Sequence, residues 1–129
     1  MIPEFLRLKW WAVLVGAAVD LISSLVLGVA FTLVKGMPSS PADWMVMMAV
    51  GLLTVVAGGA TAAAIAGDRA LDHGLAVGGM SCLTGLVFLF APSQGAPLWY
   101  TVSGFVFVLP SGALGGYLVA RRQRQAHDG

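Results

Sequence analysis

Charged residues are scarce in this sequence. Asp, Glu, Lys and Arg make up 10% of the chain, against about 25% in an ordinary soluble domain. Hydrophobic residues make up 58%, above the roughly 45–50% of soluble domains. A soluble fold of 129 residues could not bury that much apolar surface, because small domains keep a large surface-to-volume ratio. The composition predicts a single-domain integral membrane protein, with the lipid bilayer as its solvent.

Cysteine is nearly absent, and so are the motifs of common enzymes. Cys82 is the one cysteine, so neither an internal disulfide nor a cysteine metal site can form. The sequence has no HExxH, GxSxG, CxxC or phosphate-binding GxxxxGK motif. The formal net charge of +1 is too small to indicate nucleic-acid binding. We therefore expect no enzyme activity, metal site, cofactor or nucleic-acid partner.

Four apolar stretches, separated by short connectors, cover most of the chain. Their expected bounds are 10–34, 44–66, 73–91 and 98–120, each close to the ~20 residues that a helix needs to span the hydrocarbon. The connectors carry Pro, Gly, Ser and charge, which are signals that end a helix. Strands of a membrane barrel would alternate polar and apolar residues, and these stretches do not. The pattern predicts an all-α bundle of four transmembrane helices, followed by a short basic tail over 121–129.

The positive charges predict the orientation of this bundle. Cytoplasmic loops carry an excess of Lys and Arg. Lys35 alone flanks one side of the predicted spans, and the other six basic residues flank the side that holds both chain ends. Those six are Arg7, Lys9, Arg69, Arg121, Arg122 and Arg124. We therefore expect cytoplasmic termini, in a plasma or bacterial inner membrane.

Glycine is abundant, with 17 residues, and much of it recurs at four-residue spacing within the predicted helices. Such small-xxx-small seams let helix backbones approach closely in lipid. They predict a compact bundle, and some of the same faces could also contact a second copy or another membrane protein. The expected packing glycines are Gly16, Gly28, Gly59, Gly74, Gly78, Gly112 and Gly116.

A weak internal repeat relates the second predicted helix to the fourth. Laid over one another without gaps, they pair Gly59 with Gly112 and Arg69 with Arg122. Chance similarity between Gly- and Ala-rich helices is one explanation, and duplication is the other. Duplication would make the fold two parallel helical hairpins, related by an axis along the membrane normal.

Asp20 interrupts the first apolar stretch about ten residues from its start, or some 14 Å at ~1.5 Å per residue. A carboxyl at that depth costs about 2.5–3.5 kcal/mol on insertion scales, so it should face protein or water. We expect it to act either as a protonated hydrogen-bond donor or as a proton carrier. Residues expected at the same depth are Ser24, Ser81, Thr84, Pro110 and Ser111.

This level of the membrane has two interpretations. Hydroxyl groups, a carboxyl and the backbone carbonyl that Pro110 frees are the components of a small ion or proton site. The structural alternative is a protonated Asp20 that fixes the packing of the bundle through a hydrogen bond to a Ser or Thr.

A second polar cluster lies at the predicted cytoplasmic ends of the helices. It comprises Asp68, Arg69, Asp72 and His73 before the third helix, with Arg121 and Arg122 after the fourth. These residues are candidates for a gate or a docking surface. Their ordinary role would be to anchor the helix ends at lipid headgroups.

Two functions fit this sequence. In the first, the chain is a subunit of a homo-oligomeric transporter or channel for an ion or a small solute, with Asp20 in its pathway. In the second, it is an accessory or assembly subunit that docks onto a larger membrane protein complex through Gly-rich helix faces.

Overall fold

A computed structural model of the protein describes residues 3, 7–90 and 95–129, and these residues form four α-helices. The helices are α1 (Trp10–Lys35), α2 (Pro41–Ala66), α3 (Ala70–Leu89) and α4 (Leu98–Asp128). Each is long and apolar enough to cross a membrane. The shortest, α3, has 20 residues, and its length of about 30 Å matches the thickness of the hydrocarbon. The predicted all-α, four-helix membrane bundle is confirmed.

All helix ends except the C-terminal end of α4 lie within three residues of the predicted bounds, and α4 ends at Asp128 where residue 120 was expected. α2 begins earlier than expected because Ser40 caps it: the Asp43 N–H donates to Ser40 Oγ at 3.2 Å, and the Ser40 N–H donates to Asp43 Oδ2 at 3.3 Å. This capping box satisfies amide groups that the first turn of a helix leaves unpaired. α4 continues through Pro110 and through the predicted tail. The expected end of the third helix, at residue 91, lies outside the described residues.

The bundle has two different ends. The terminal end holds the start of α1, the connector between α2 and α3, and the C-terminus of α4; the loop end holds the other two connections. The buried residues of the four helices lie near mid-span or toward the terminal end. They fall within 12–20 on α1, 54–66 on α2, 70–78 on α3 and 108–116 on α4. The terminal half is therefore tightly packed, whereas the described residues that lie nearer the loop end than these ranges include none that is buried.

Glycines bring the helix backbones into contact in the terminal half. A Cβ added to Gly16 would lie 2.5 Å from the carbonyl oxygen of Gly58, well inside the roughly 3.5–4.0 Å of an ordinary contact. Five further predicted glycines are confined in the same way: Gly59, Gly74, Gly78, Gly112 and Gly116. Gly28 is a correction, because a Cβ added there would meet no atom within 4 Å. Gly58 and Gly115 pack closely as well and were not predicted.

The helix arrangement lacks the symmetry that a duplication would give. α1 packs against α2 and α3, and so does α4, but no Cα atom of α1 lies within 8 Å of a Cα atom of α4. A two-fold axis that exchanges α1 with α3 and α2 with α4 would make α1 and α4 neighbours, as α2 and α3 are. Gly59 and Gly112, which the repeat pairs, do meet where α2 crosses α4. The arrangement also keeps the packing of α1 on α2 and of α3 on α4 that two helical hairpins require.

Candidate functional site

The loop half of the bundle contains a cavity of about 580 Å³ that all four helices line. This volume falls within the roughly 300–1,000 Å³ of small-molecule sites. Gly51 on α2 and Gly104 on α4 line it, and a Cβ added to either would meet no atom within 4 Å. Asp20 is the one carboxyl, and Lys, Arg and His are absent, among the described residues that line the cavity.

Three hydroxyl groups from three helices hold the Asp20 carboxyl. Thr54 Oγ1 on α2 lies 2.8 Å from Asp20 Oδ1, and Ser24 Oγ on α1 lies 3.4 Å from the same oxygen. Ser81 on α3 donates to Asp20 Oδ2. The hydroxyl oxygens of Ser24 and Thr54 are 2.8 Å apart. We call these four residues the Asp20 cluster, in which Asp20 is only 8% exposed.

Helix spacing and glycine contacts assemble this cluster. Asp20 and Ser24 are one turn apart on α1, so they share a face. Gly16 and Gly58 allow α1 and α2 to approach until a Cβ added to Gly58 would lie 3.0 Å from the Asp20 Cβ. Thr54 is one turn from Gly58 on the same face of α2. A larger residue at Gly58 would therefore push the Thr54 hydroxyl away from the carboxyl.

Two of the residues predicted at the depth of Asp20 make hydrogen bonds to it. Ser24 and Ser81 both reach Asp20. Thr84 lines the same cavity, but its hydroxyl donates to the Met80 carbonyl at 3.0 Å. Thr84 is thus part of the wall and makes no hydrogen bond to Asp20.

Pro110 and Ser111 do not join the cluster, although their depth is similar. They lie on α4, which does not contact α1, and neither residue lines the cavity. Pro110 is exposed on the outer surface of the bundle. Counting residues from the helix end gives a height in the membrane, but it does not give the direction in which a side chain points.

Thr54 is the functional candidate that the sequence reasoning missed. Counted at ~1.5 Å per residue, the depth of Asp20 corresponds on α2 to residues 57–59, one turn nearer the terminal end than Thr54. A signal was available, because Thr54, Gly58, Ala62 and Ala66 follow one another at four-residue spacing and are all buried. Of the residues on that small-residue face, Thr54 lies nearest the loop end, and it carries a hydroxyl group.

A second recess of about 700 Å³ adjoins the cavity toward the loop end. Ser24 and Thr101 line both spaces, whereas Gly28 lines the recess and not the cavity. Trp44 lines the recess and Tyr100 lines the cavity, with ring centroids 4.8 Å apart at 60°. This aromatic pair therefore lies where the two spaces meet.

The polar residues of the α2–α3 connector are paired at the terminal end. Asp68 pairs with Lys9 at 3.4 Å, and Asp72 with Arg69 at 2.9 Å. His73 is fully buried, with Nδ1 2.9 Å from the Arg69 carbonyl oxygen and with Nε2 accepting from the Lys9 N–H at 3.0 Å. Only a neutral ring with its hydrogen on Nδ1 fits both contacts. His73 therefore joins the start of α1 to the connector.

Arg121 and Arg122 stand apart from this connector. Gly116 is the residue of α4 that contacts Ala70, and the two arginines lie more than one turn beyond it. Both are exposed, and the described residues include no ion pair between them and the connector. The described residues thus show no ion pair that joins the two groups, and the gate and the docking surface stay predictions.

Fold and site together define a multi-pass, α-helical membrane protein with a single carboxyl in a four-helix cavity. The part of the chain that the structure describes has no group of three or more His, Cys, Asp or Glu side chains that could hold a metal ion. The chain matches no protein-family model, no curated protein and no solved structure at a significant level.

Proposed function

We propose that the protein is a subunit of a small homo-oligomeric membrane transporter whose solute enters the loop-half cavity and reaches the Asp20 cluster. The supporting observation is the difference between the two halves of the bundle. Backbone contacts close the terminal half, whereas the loop half leaves a cavity above a buried carboxyl. Packing drives helix association in lipid, so a bundle with a purely structural role would gain stability from a closed loop half.

The orientation of the cavity also favours a carrier. The positive-inside rule puts the terminal end in the cytoplasm, so the cavity would open toward the opposite side. A channel needs a continuous path, and the glycine contacts that bring the helices of one subunit together in the terminal half make such a path through that subunit less favourable. We therefore favour a carrier that exposes Asp20 to one side at a time over an open channel.

The accessory-subunit alternative has less support. It requires Gly-rich faces that remain free to dock, yet most of the packing glycines are confined between helices of the same chain. Gly79 on α3 is an exception, since it lines neither space and a Cβ added there would meet no atom within 4 Å. That position can contact a second copy, as homo-oligomerisation requires.

Flux measurements in liposomes test the proposal. Protein is reconstituted with a pH-sensitive dye inside the vesicles, and alkali cations, amines, organic cations and small anions are added outside in turn. We expect protein-dependent transport of at least one class, lost in Asp20→Asn and kept in Thr61→Ala. Thr61 is a matched control, because its hydroxyl donates to the Ala57 carbonyl at 2.8 Å and it lines neither space.

Two results would count against transport. One is a folded, homo-oligomeric preparation that moves no class of solute. The other is co-purification of the chain with a larger complex in mild detergent, which would favour the accessory role.

A further inference from the structure

We propose that the loop-half cavity binds an organic monocation with an apolar body, and that this cation replaces a proton on Asp20. The inference deepens the proposed transport function by naming a substrate class and the ion that exchanges with it. It depends on the number of hydrogens in the Asp20 cluster, on the chemistry of the cavity walls and on the absence of a competing cation.

The hydrogen bonds of the cluster fit a protonated Asp20. Thr54 Oγ1 lies 2.8 Å from Asp20 Oδ1 and 2.7 Å from the Gly51 carbonyl oxygen. The single hydroxyl hydrogen of Thr54 cannot make a full hydrogen bond to both oxygens, and a carbonyl oxygen has no hydrogen to donate. A protonated carboxyl resolves this, because it donates to Thr54 while Thr54 donates to Gly51. Ser24 can then donate to Thr54, as Ser81 does to Asp20 Oδ2.

An ionised Asp20 would leave the shortest contacts of this arrangement one hydrogen short. The cluster has four oxygen–oxygen contacts of 2.8 Å or less, counting that of Thr54 with Gly51, besides the longer contact of 3.4 Å between Ser24 and Asp20. Its three hydroxyl groups supply three hydrogens, and the carboxyl proton is the fourth. Loss of that proton therefore leaves an unsatisfied contact and a negative charge, and a cation in the cavity can compensate the charge.

The walls above the carboxyl suit a cation whose charge is surrounded by apolar groups. They include Met47, Met48, Met80, Phe88 and Phe105. Thioether side chains are flexible and polarizable, so they adapt to ligands of different shape. Aromatic rings attract cations through their faces. One negative charge within such walls matches one positive charge with an apolar body.

An inorganic divalent cation fits this site poorly. Ca²⁺ and Mg²⁺ take about six or more oxygen ligands. The Asp20, Thr54 and Ser24 oxygens already contact one another at hydrogen-bond distance, and the walls offer mainly carbon and sulfur. An organic cation needs only the carboxylate.

Few other titratable groups in the described part of the chain lie near Asp20, and none of them could supply a positive charge to balance its carboxylate. Among the described residues that line the cavity, α3 contributes Cys82 and α4 contributes Tyr100 as titratable groups, while α2 contributes none. Neither carries a positive charge. Binding of a monocation should therefore release about one proton for each cation bound, because the two ions share one carboxyl.

Calorimetric titration of the purified protein in mild detergent tests this proposal. Tetraphenylphosphonium is the probe, and tetraphenylborate is its matched control, with nearly the same shape and the opposite charge. Titrations in two buffers of different ionisation enthalpy give the number of protons released. We expect saturable binding of the cation alone and release of about one proton. In the pH range where Asp20 is protonated, the affinity should weaken about tenfold for each unit by which the pH is lowered.

Variants assign the effect to the carboxyl. Asp20→Asn should weaken tetraphenylphosphonium binding at least tenfold and abolish its pH dependence, whereas Thr61→Ala should change neither. Proton release by the wild-type protein tests the exchange without any variant, so a poorly folded Asp20→Asn protein does not prevent a decision.

Four results would overturn the proposal. These are equal affinity of Asp20→Asn and the wild type for the cation, equal binding of tetraphenylborate, no saturable binding by folded protein, or proton release by sodium chloride alone. The last result would assign an alkali-cation site instead.

The binding and transport experiments distinguish failure of the proposed substrate class from failure of the proposed transport function. Proton-coupled binding without transport in liposomes would leave the site in place and remove the transporter. Transport of another solute class without tetraphenylphosphonium binding would leave the transporter and remove this substrate class.

Discussion

Gly112 is where one added methyl group should disturb the bundle most clearly. A Cβ there would lie 2.8 Å from the Gly78 nitrogen and 2.9 Å from the Gly78 Cα, and closer still to the Gly74 carbonyl oxygen. All three are backbone atoms, so no side chain can rotate away. Ordinary contacts are roughly 3.5–4.0 Å. In Gly112→Ala, α3 and α4 must therefore separate by about 1 Å.

The expected loss of stability follows from that separation. Overpacking a well-packed interior costs about 1–3 kcal/mol, and the better helix propensity of Ala offsets up to ~1 kcal/mol of it. Gly104→Ala is the matched control on the same helix, because a Cβ at Gly104 would meet no atom within 4 Å. That control should be neutral, or more stable by up to ~1 kcal/mol.

Reversible unfolding with SDS, followed by far-ultraviolet circular dichroism in mild detergent, compares the two variants. We expect Gly112→Ala to unfold at a lower SDS fraction than the wild type, and Gly104→Ala to unfold at the same fraction or a higher one. Equal stability of the two variants would refute the inferred difference between a packed terminal half and an open loop half.

Three further substitutions test single contacts by the same unfolding assay. Asp20→Leu should cost about 1–3 kcal/mol, because it leaves the hydroxyl groups of the Asp20 cluster without their carboxyl partner, and a stability equal to that of the wild type would contradict the cluster. Ser40→Ala should cost about 1 kcal/mol through loss of the α2 cap, and no loss would mean that the capping box does not form. His73→Phe should cost about 1–3 kcal/mol and speed hydrogen exchange at the Lys9 amide; unchanged exchange there would contradict the link to α1.

The number and limits of the helices could be predicted because their signals are local. About 20 apolar residues between Pro, Gly and charged connectors define each span. Gly67 shows how local the signal is: it adopts the left-handed conformation at φ 75° and ends α2, with its N–H donating to the Ala63 carbonyl at 3.1 Å. A side chain disfavours that conformation, so a glycine there marks the end of a helix.

The Asp20 cluster could be predicted only in part, because depth in the membrane is one coordinate of three. Ser81 was found since α1 and α3 run in the same direction past one another. Thr54 was missed because its hydroxyl reaches Asp20 from one turn away on α2. Pro110 was included on height alone, although α4 lies on the far side of α2 and α3.

The cavity itself could not be predicted from the glycine pattern. Gly16 and Gly28 belong to the same four-residue stripe on α1, yet Gly16 packs against α2 and Gly28 faces a recess. Whether a small residue packs depends on how far the partner helix is at that height. That distance is set by the whole bundle: backbones meet at glycines in the terminal half, whereas a Cβ at Gly28, Gly51 or Gly104 in the loop half would meet no atom within 4 Å.

Cys82 tests most directly the proposal that a solute reaches the cavity from the loop end and not from the terminal end. It lines the cavity, and it is the single cysteine of the chain, so the wild-type protein can be used unchanged. A charged, membrane-impermeant thiol reagent is added to either side of oriented proteoliposomes, with Cys82→Ser as the background control. We predict modification from the loop-end side only, slowed by tetraphenylphosphonium. Modification at an equal rate from the terminal-end side, or from neither side, would contradict the account.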